Sequence, residues 1–160
     1  MIQAGRITDT HEGPLVVFII GLRINYFLKP GKWLPVVRAM GPMIAELSAD
    51  PASGFMGAEI LRKGLRTVCM VQYWRDFERL EAYARDRDRN HWPAWSAFNK
   101  AVGNDGTVGI FHETYCVPAG GFETVQVNMP PFGLARFTGG QPATGSRNAA
   151  RERMSETAVK

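Results

Sequence analysis

A histidine inside an apolar, alternating segment is the first residue of this 160-residue chain that could do chemistry. His112 lies in the segment 107–117, where alternation places it on one face with Val108, Ile110, Thr114 and Cys116. Burial among these neighbours would lower the pKa of the imidazole and keep the ring neutral. A neutral imidazole can act as a general base, and it can also ligate a metal or a haem iron. The alternative is a structural histidine bonded to the backbone or to Thr114.

Two neighbours of this histidine could also transfer protons, but from the other face of the strand. Glu113 and Tyr115 alternate with His112 and lie beside Phe111 and Val117. If this face lines a pocket, Glu113 would have a raised pKa and could shuttle protons, while Tyr115 donates to a substrate oxygen. The alternative is an ion pair between Glu113 and an arginine such as Arg23 or Arg75.

A third group of candidates surrounds the connection before Pro93. His91 is followed by Trp92 and, after the proline, by Trp95. Connections of this kind often roof the open end of a barrel, where their side chains can contact a ligand. The alternative is that the aromatic rings belong to the core.

The remaining candidates lie on predicted strands. Arg23 and Asn25 end the first strand and could bind a carboxylate or phenolate oxygen at the mouth of a barrel, or simply contact solvent. Trp74 shares one parity of its strand with Met70, and this row could line an aromatic pocket or form ordinary core.

Hydrophobic periodicity predicts the elements that must position these residues. An apolar run at 15–23 indicates a strand buried on both faces, and further strands are predicted at 55–61, 66–74 and 107–117. Apolar residues at three- and four-residue spacing predict a helix over 36–47, which Pro42 should kink. A second helix is predicted after Asp76, which can cap it, and carries Phe77, Leu80 and Ala84. A third helix is predicted to start near Pro93, with Trp95, Phe98 and Val102 facing inward.

This order of elements predicts an α+β domain with a ferredoxin-like antiparallel sheet and helices on one face. The other face should be polar, yet both sets of alternating residues on three of the strands are largely apolar. A second copy of the chain would cover that face. We therefore expect a homodimer, a dimeric α+β barrel whose paired sheets enclose an apolar cavity.

The ends of the chain differ in composition. We expect a single domain over 1–137 and a disordered tail over 138–160, where core-forming residues are scarce. The segment 107–117 should turn at 118–121 and pair with 122–128. The segment 128–133, which contains Pro130 and Pro131, should be a rigid piece that closes the pocket or reaches across the dimer.

Charge and cysteine usage exclude several classes of protein. The net charge is +4, but the densest run of charge, at 85–89, alternates in sign and argues against nucleic acid binding. Cys69 and Cys116 lack metal-site spacing and are interpreted as buried free thiols, so no metal is expected. The apolar run at 15–22 is too short to span a bilayer and no signal peptide is visible. We therefore expect a cytoplasmic protein without a nucleic acid or membrane partner.

Four motifs carry a resemblance to known proteins. YWRDFERLEAYA at 73–84 and HWPAWSAFN at 91–99 resemble the antibiotic-biosynthesis-monooxygenase-like superfamily. GIFHETY at 109–115 and NMPPFGL at 128–134 are similar to one of its branches, a monooxygenase-like family sometimes likened to haem-containing phenylacetaldoxime dehydratases. The resemblance implies the dimeric barrel fold but several chemistries, from cofactor-free oxygenation of quinone-like aromatics to haem-dependent dehydration.

Three hypotheses about function follow. The first is a monooxygenase-like enzyme that needs no cofactor and converts a small hydrophobic or aromatic substrate with a base such as His112. The second is a haem b enzyme, a dehydratase or oxidase, in which His112 or His91 ligates the iron. The third is a dimer that binds a hydrophobic small molecule without converting it.

Overall fold

The structure, a computed structural model, describes residues 1–89, 91–101 and 103–156. Its strands are β1 Gln3–Asp9, β2 Leu15–Ile24, β3 Phe55–Lys63, β4 Thr67–Trp74, β5 Val108–Val117, β6 Gln126–Met129 and β7 Gly140–Pro142. Its α-helices are α1 Pro30–Ala49, α2 Phe77–Arg85, α3 His91–Ala101, α4 Leu134–Thr138 and α5 Ala150–Glu156. No helix among these residues is long and apolar enough to cross a membrane.

The main sheet has four antiparallel strands in the order β3-β4-β2-β5. Its strands and the helices α1 and α2 follow the predicted order along the chain, and the α+β, ferredoxin-like class is confirmed. The central strand β2 pairs with β4 on one side and with β5 on the other, which makes β5 an edge strand.

Among the described residues, the core between this sheet and its helices includes two clusters of buried side chains. The first cluster contains Leu22, Ile24, Phe98 and Val108, and the second contains Val16, Leu47, Trp74 and Leu80. Because the even-numbered residues of β2 contribute to both clusters, the two clusters lie at opposite ends of one face of the sheet. We call this side the helix face and the other side the open face.

Local signals explain where two of the helices lie. The Asp76 carboxylate accepts a hydrogen bond from the backbone N–H of Arg79 at 2.9 Å, which confirms the predicted cap of α2. Helix α1 continues through Pro35 and Pro42. On α3, Phe98 is buried as predicted, whereas the inward position predicted for Trp95 is wrong because this side chain is 43% exposed. Val102 lies outside the described residues.

A second, smaller sheet was not predicted. It has the strand order β6-β1-β7. The pairing predicted between 122–128 and β5 is wrong, because β6 pairs with β1 instead. A disordered tail is also wrong for residues 138–156, where β7 pairs with β1 and the Arg153 guanidinium donates to Glu123 at 2.6 Å. Residues 157–160 lie outside the described part of the chain.

Both cysteines of the chain are free thiols, as predicted. Cys69 is half-buried, and burial together with the nearby Glu113 carboxylate raises the pKa of its thiol. The burial predicted for Cys116 is wrong. This residue lies on the edge strand β5, where the sheet has no further neighbour, and its side chain is exposed.

Candidate functional site

The helix face becomes more exposed towards the edge strand β5, since Met70 and Gln72 on β4 are buried whereas His112 and Thr114 on β5 are exposed. Val16, Leu22 and Ile24 are buried, whereas Phe18 and Ile20 between them are only half-buried. In the register of β2 with β5, Phe18 is opposite Thr114 and Ile20 is opposite His112. These four side chains form the floor of a surface region that we call the central groove. It consists of Phe18, Ile20, His112 and Thr114.

His112 is the titratable side chain of this floor. Its ring centroid lies 5.6 Å from that of Phe18, with the two ring planes tilted by 42°. The predicted burial of His112 is wrong, because β5 is an edge strand and leaves the imidazole exposed. The predicted parity is correct, since His112 faces the helix side together with Val108 and Ile110. The histidine is therefore accessible and borders an aromatic ring.

Helix α1 runs along the helix face from one core cluster to the other. Met40 packs against the first cluster and Leu47 belongs to the second. The stretch of α1 between them, which includes the half-buried Met43 and Ile44, must therefore cross the middle of the sheet. A helix in this position can place flexible thioether and aliphatic side chains over the groove.

The aromatic residues of α3 lie at the border of the first cluster. Trp95 stacks on Phe98 with ring centroids 5.5 Å apart, and Phe98 belongs to that cluster. The Arg87 guanidinium lies over the Trp92 ring, 5.2 Å from the ring centroid. The side chain of His91 lies outside the described residues.

Glu113 and Tyr115 lie on the open face and contact each other. The Tyr115 hydroxyl donates to Glu113 Oε2 at 2.6 Å. This hydrogen bond and the charge of the carboxylate raise the pKa of Tyr115. Among the described residues Glu113 therefore has a tyrosine partner, and neither Arg23 nor Arg75 forms the ion pair that was considered. Both side chains are exposed, and they point away from His112.

The remaining predicted site residues lie apart from His112. Arg23 donates to Thr67 Oγ1 at 3.4 Å, and the Asn25 amide donates to the Gly106 carbonyl at 2.9 Å, both at one end of the sheet. Trp74 is 0% exposed in the second cluster, where its indole N–H donates to the Gln72 side chain at 3.0 Å. The predicted site residues therefore do not form one site: they lie in the central groove, on the open face, at one end of the sheet and in the core.

Sequence reasoning missed a buried carboxylate on the open face. Glu59 accepts hydrogen bonds from the backbone N–H of Gly133 at 3.1 Å and from Arg136 Nη1 at 3.0 Å. The Phe137 ring packs where Gly57 leaves room, and its centroid lies 6.0 Å from that of Tyr73. The proline-rich segment before Gly133 was the available signal, since it was expected to be a rigid piece that closes the pocket or reaches across the dimer. It holds α4 against one end of the open face.

Two cavities lie away from His112 and the central groove. One, of about 50 Å³, is lined by polar side chains that include Asp9, His11 and Arg153. The other, of about 240 Å³, is lined by Asp50, Arg79, Tyr83 and Arg89 among others. Burial and the nearby Glu46 carboxylate raise the pKa of Tyr83 in this second cavity. The enclosed cavity predicted between paired sheets requires a second subunit and stays a prediction.

Comparison with known proteins shows where this architecture recurs. Residues 15–134, more than half of the chain, match the family described as monooxygenase af470-like. Monooxygenase af470 from Aspergillus fumigatus is 27% identical over 136 residues, a match that covers 78% of this chain. The crystal structure of an aldoxime dehydratase superposes with a TM-score of 0.68 at 15% identity and covers 85% of this chain. SnoaB, a cofactor-independent oxygenase from Streptomyces nogalater, gives a TM-score of 0.47 at 12% identity, covering 64% of this chain and 91% of its own.

The first two of these proteins are longer than this chain. The match spans 46% of the Aspergillus protein and 42% of the aldoxime dehydratase chain. The superposition at 15% identity shows a shared fold. The family match extends through β2, β3, β4 and β5, and therefore includes His112 and every strand of the main sheet. The chain belongs to the monooxygenase af470-like family.

Proposed function

We propose that the protein is a monooxygenase-like enzyme that oxidises a small hydrophobic or aromatic substrate in the central groove. The observation that carries the proposal is the position of His112, an accessible imidazole on the helix face of the edge strand β5 and next to the Phe18 ring. Membership in a monooxygenase-like family supports oxygen chemistry. Imidazole suits the role of base because its ordinary pKa lies closest to neutral pH.

The substrate class that fits these groups is an electron-rich phenol. Phe18 and Ile20 supply apolar surface for its ring, and His112 accepts the phenolic proton. The phenolate is oxidised by molecular oxygen, which inserts one oxygen atom into a ring C–H position and releases the other as water. The products are a quinone and water, and the substrate supplies all the electrons that reduce the oxygen. His112 then returns its proton to the water that leaves.

Oxygen uptake in the presence of phenols and hydroxynaphthalenes tests this proposal. We expect oxygen consumption that depends on the protein and a matching appearance of quinone absorbance. Binding of the same compounds without oxygen uptake or quinone formation would contradict the proposal and would favour a non-catalytic binding protein. Uptake that yields hydrogen peroxide instead of an oxygenated product would also contradict it.

A haem enzyme is the second candidate, and the same accessible histidine favours it. An exposed imidazole beside apolar side chains is chemically suited to bind haem iron, and His112 would be the ligand. Bound haem would supply redox and Lewis acid chemistry, while the chain would supply the ligand and the apolar floor. The test is titration with haemin: a Soret band that appears with the wild type and is lost in His112→Ala supports this candidate. A spectrum that equals that of free haemin excludes it.

We also propose that the protein forms a homodimer through the open face, on the side of the sheet opposite the central groove. On the open face the chain leaves Phe111 exposed and covers Val17, Ile19 and Val71 only in part. Burying such a surface against a second copy removes apolar area from water. We expect the protein to sediment as a dimer, and we expect Phe111→Asp to sediment as a monomer.

The matched control for this measurement is Phe77→Asp on α2, because Phe77 and Phe111 are both 42% exposed. The control should leave the dimer intact, since Phe77 begins α2, which belongs to the helix face. A monomeric wild type, or equal dissociation in both variants, would contradict a dimer built on the open face.

A further inference from the structure

Two exposed leucines lie at neighbouring tips of the fold. Leu28 follows β2 and is 97% exposed, and Leu65 is in the β3–β4 turn and is 92% exposed. The two tips are joined by hydrogen bonds, because the Ile24 N–H donates to the Arg66 carbonyl at 2.8 Å and Arg66 Nη1 donates to the Asn25 carbonyl at 2.8 Å. The leucines therefore belong to one end of the molecule.

This end is strongly basic. The segment 23–32 contains Arg23, Lys29 and Lys32, and the segment 60–67 contains Arg62, Lys63 and Arg66, while neither segment contains an acidic residue. Asp105, in the loop before β5, pairs with Lys32 at 3.4 Å. We call the two segments together the basic end.

The aromatic residues of the basic end lie beside its cations. Lys29 Nζ is 5.2 Å from the ring centroid of the exposed Tyr26, and the Arg66 guanidinium is 5.0 Å from that of Phe27. These contacts hold positive charge next to apolar rings at the surface. Tyrosine and leucine surrounded by lysine and arginine are the side chains that membrane interfaces favour.

We propose that the basic end docks on a negatively charged lipid membrane, with Leu28 and Leu65 inserted among the acyl chains near the headgroups. Basic side chains bind the anionic headgroups, and the two leucines leave water. The leucines protrude from separate tips, whereas a protein partner would favour a continuous apolar patch. A nucleic acid would use the cations but would gain little from two leucines.

A membrane partner was not expected from the sequence, because its cations are scattered along the chain and no segment is long enough to span a bilayer. The six cations come from two segments about thirty residues apart, and β-sheet pairing brings them together. The docking is peripheral and requires no helix that crosses the bilayer. It is also independent of the proposed oxidation of phenols.

Cosedimentation of the full chain with vesicles tests the proposal. We expect binding to vesicles of phosphatidylcholine mixed with phosphatidylserine and little binding to phosphatidylcholine alone. The variant Arg62→Gln with Lys63→Gln should bind about 25-fold more weakly, since each basic residue strengthens binding about fivefold. The variant Leu28→Ser with Leu65→Ser should bind at least about tenfold more weakly, because insertion is lost.

Matched controls separate this surface from charge and hydrophobicity in general. Arg38→Gln with Arg75→Gln removes the same charge from exposed positions outside the basic end, and Val125→Ser with Val127→Ser removes exposed aliphatic side chains. Both controls should bind like the wild type. The proposal is overturned if both kinds of vesicle bind equally, if neither binds, or if the controls lose as much binding. Self-association or duplex DNA binding that depends on Leu28 and Leu65, without vesicle binding, would likewise overturn it.

Discussion

His112→Ala is expected to reduce kcat/KM for oxidation of a phenol by about 10²–10⁴-fold, the usual effect of removing a general base. The base takes the phenolic proton, and an un-ionised phenol is a much poorer electron donor to oxygen. The fold should be retained, because His112 is exposed and surface substitutions usually change the free energy of unfolding by less than about 0.5 kcal/mol. Initial rates of oxygen uptake give the ratio.

The control for this prediction lies one residue further along the same strand. Glu113→Gln changes a charged side chain on the opposite face, and the variant should keep activity close to the wild type if the central groove is the site. If Glu113→Gln lost activity while His112→Ala stayed fully active, the active site would have to lie on the open face. Loss of activity in both variants with an unchanged dimer would contradict the assignment to a single face.

Trp74→Ala should produce the largest loss of stability, about 3–5 kcal/mol in the free energy of unfolding. The indole is 0% exposed, and its ring centroid lies 5.3 Å from that of Phe55 and 6.0 Å from that of Tyr83. Alanine would leave a cavity in the second cluster and would remove the hydrogen bond to Gln72. Urea denaturation monitored by far-UV circular dichroism measures the change.

Trp95→Ala is the matched control for Trp74. Trp95 is half-exposed and stacks on Phe98, so its removal should lower the free energy of unfolding by only about 1 kcal/mol. Equal losses in the free energy of unfolding of the two variants would contradict the assignment of Trp74 to the core and of Trp95 to its border. A stable Trp74→Ala variant would contradict the packing of the second cluster and, with it, the position of Phe18, which packs against that cluster.

The main sheet could be predicted because its signals are local. The apolar run of β2 and the cap at Asp76 depend on neighbouring residues, and the structure confirms both. Alternation along β5 also placed His112 and Glu113 on opposite faces correctly. Alternation shows which residues share a face, but it does not show which strand lies at the edge. The burial of His112 and Cys116 was therefore predicted wrongly.

The second sheet depends on contacts between distant parts of the chain. β7 is three residues long, and its partner β1 lies more than 130 residues earlier. Arg153 pairs with Glu123, thirty residues earlier in the chain. A composition rich in glycine, serine and threonine gives no sign of this ion pair. The hydrogen bond from the Gly133 N–H to the Glu59 carboxylate likewise joins residues that are far apart in the sequence. Composition alone contains no information about pairing between distant residues, and it therefore predicted disorder in a segment that is ordered by such pairing.

Nuclear magnetic resonance of the histidine and tyrosine rings during titration with a hydroxynaphthalene measures directly which face binds the substrate. With His112 assigned by means of His112→Ala, its ring signals should shift and saturate as the ligand fills the central groove, while those of Tyr115 stay in place. Saturable shifts of Tyr115 with unchanged His112 signals would contradict the account and assign binding to the open face.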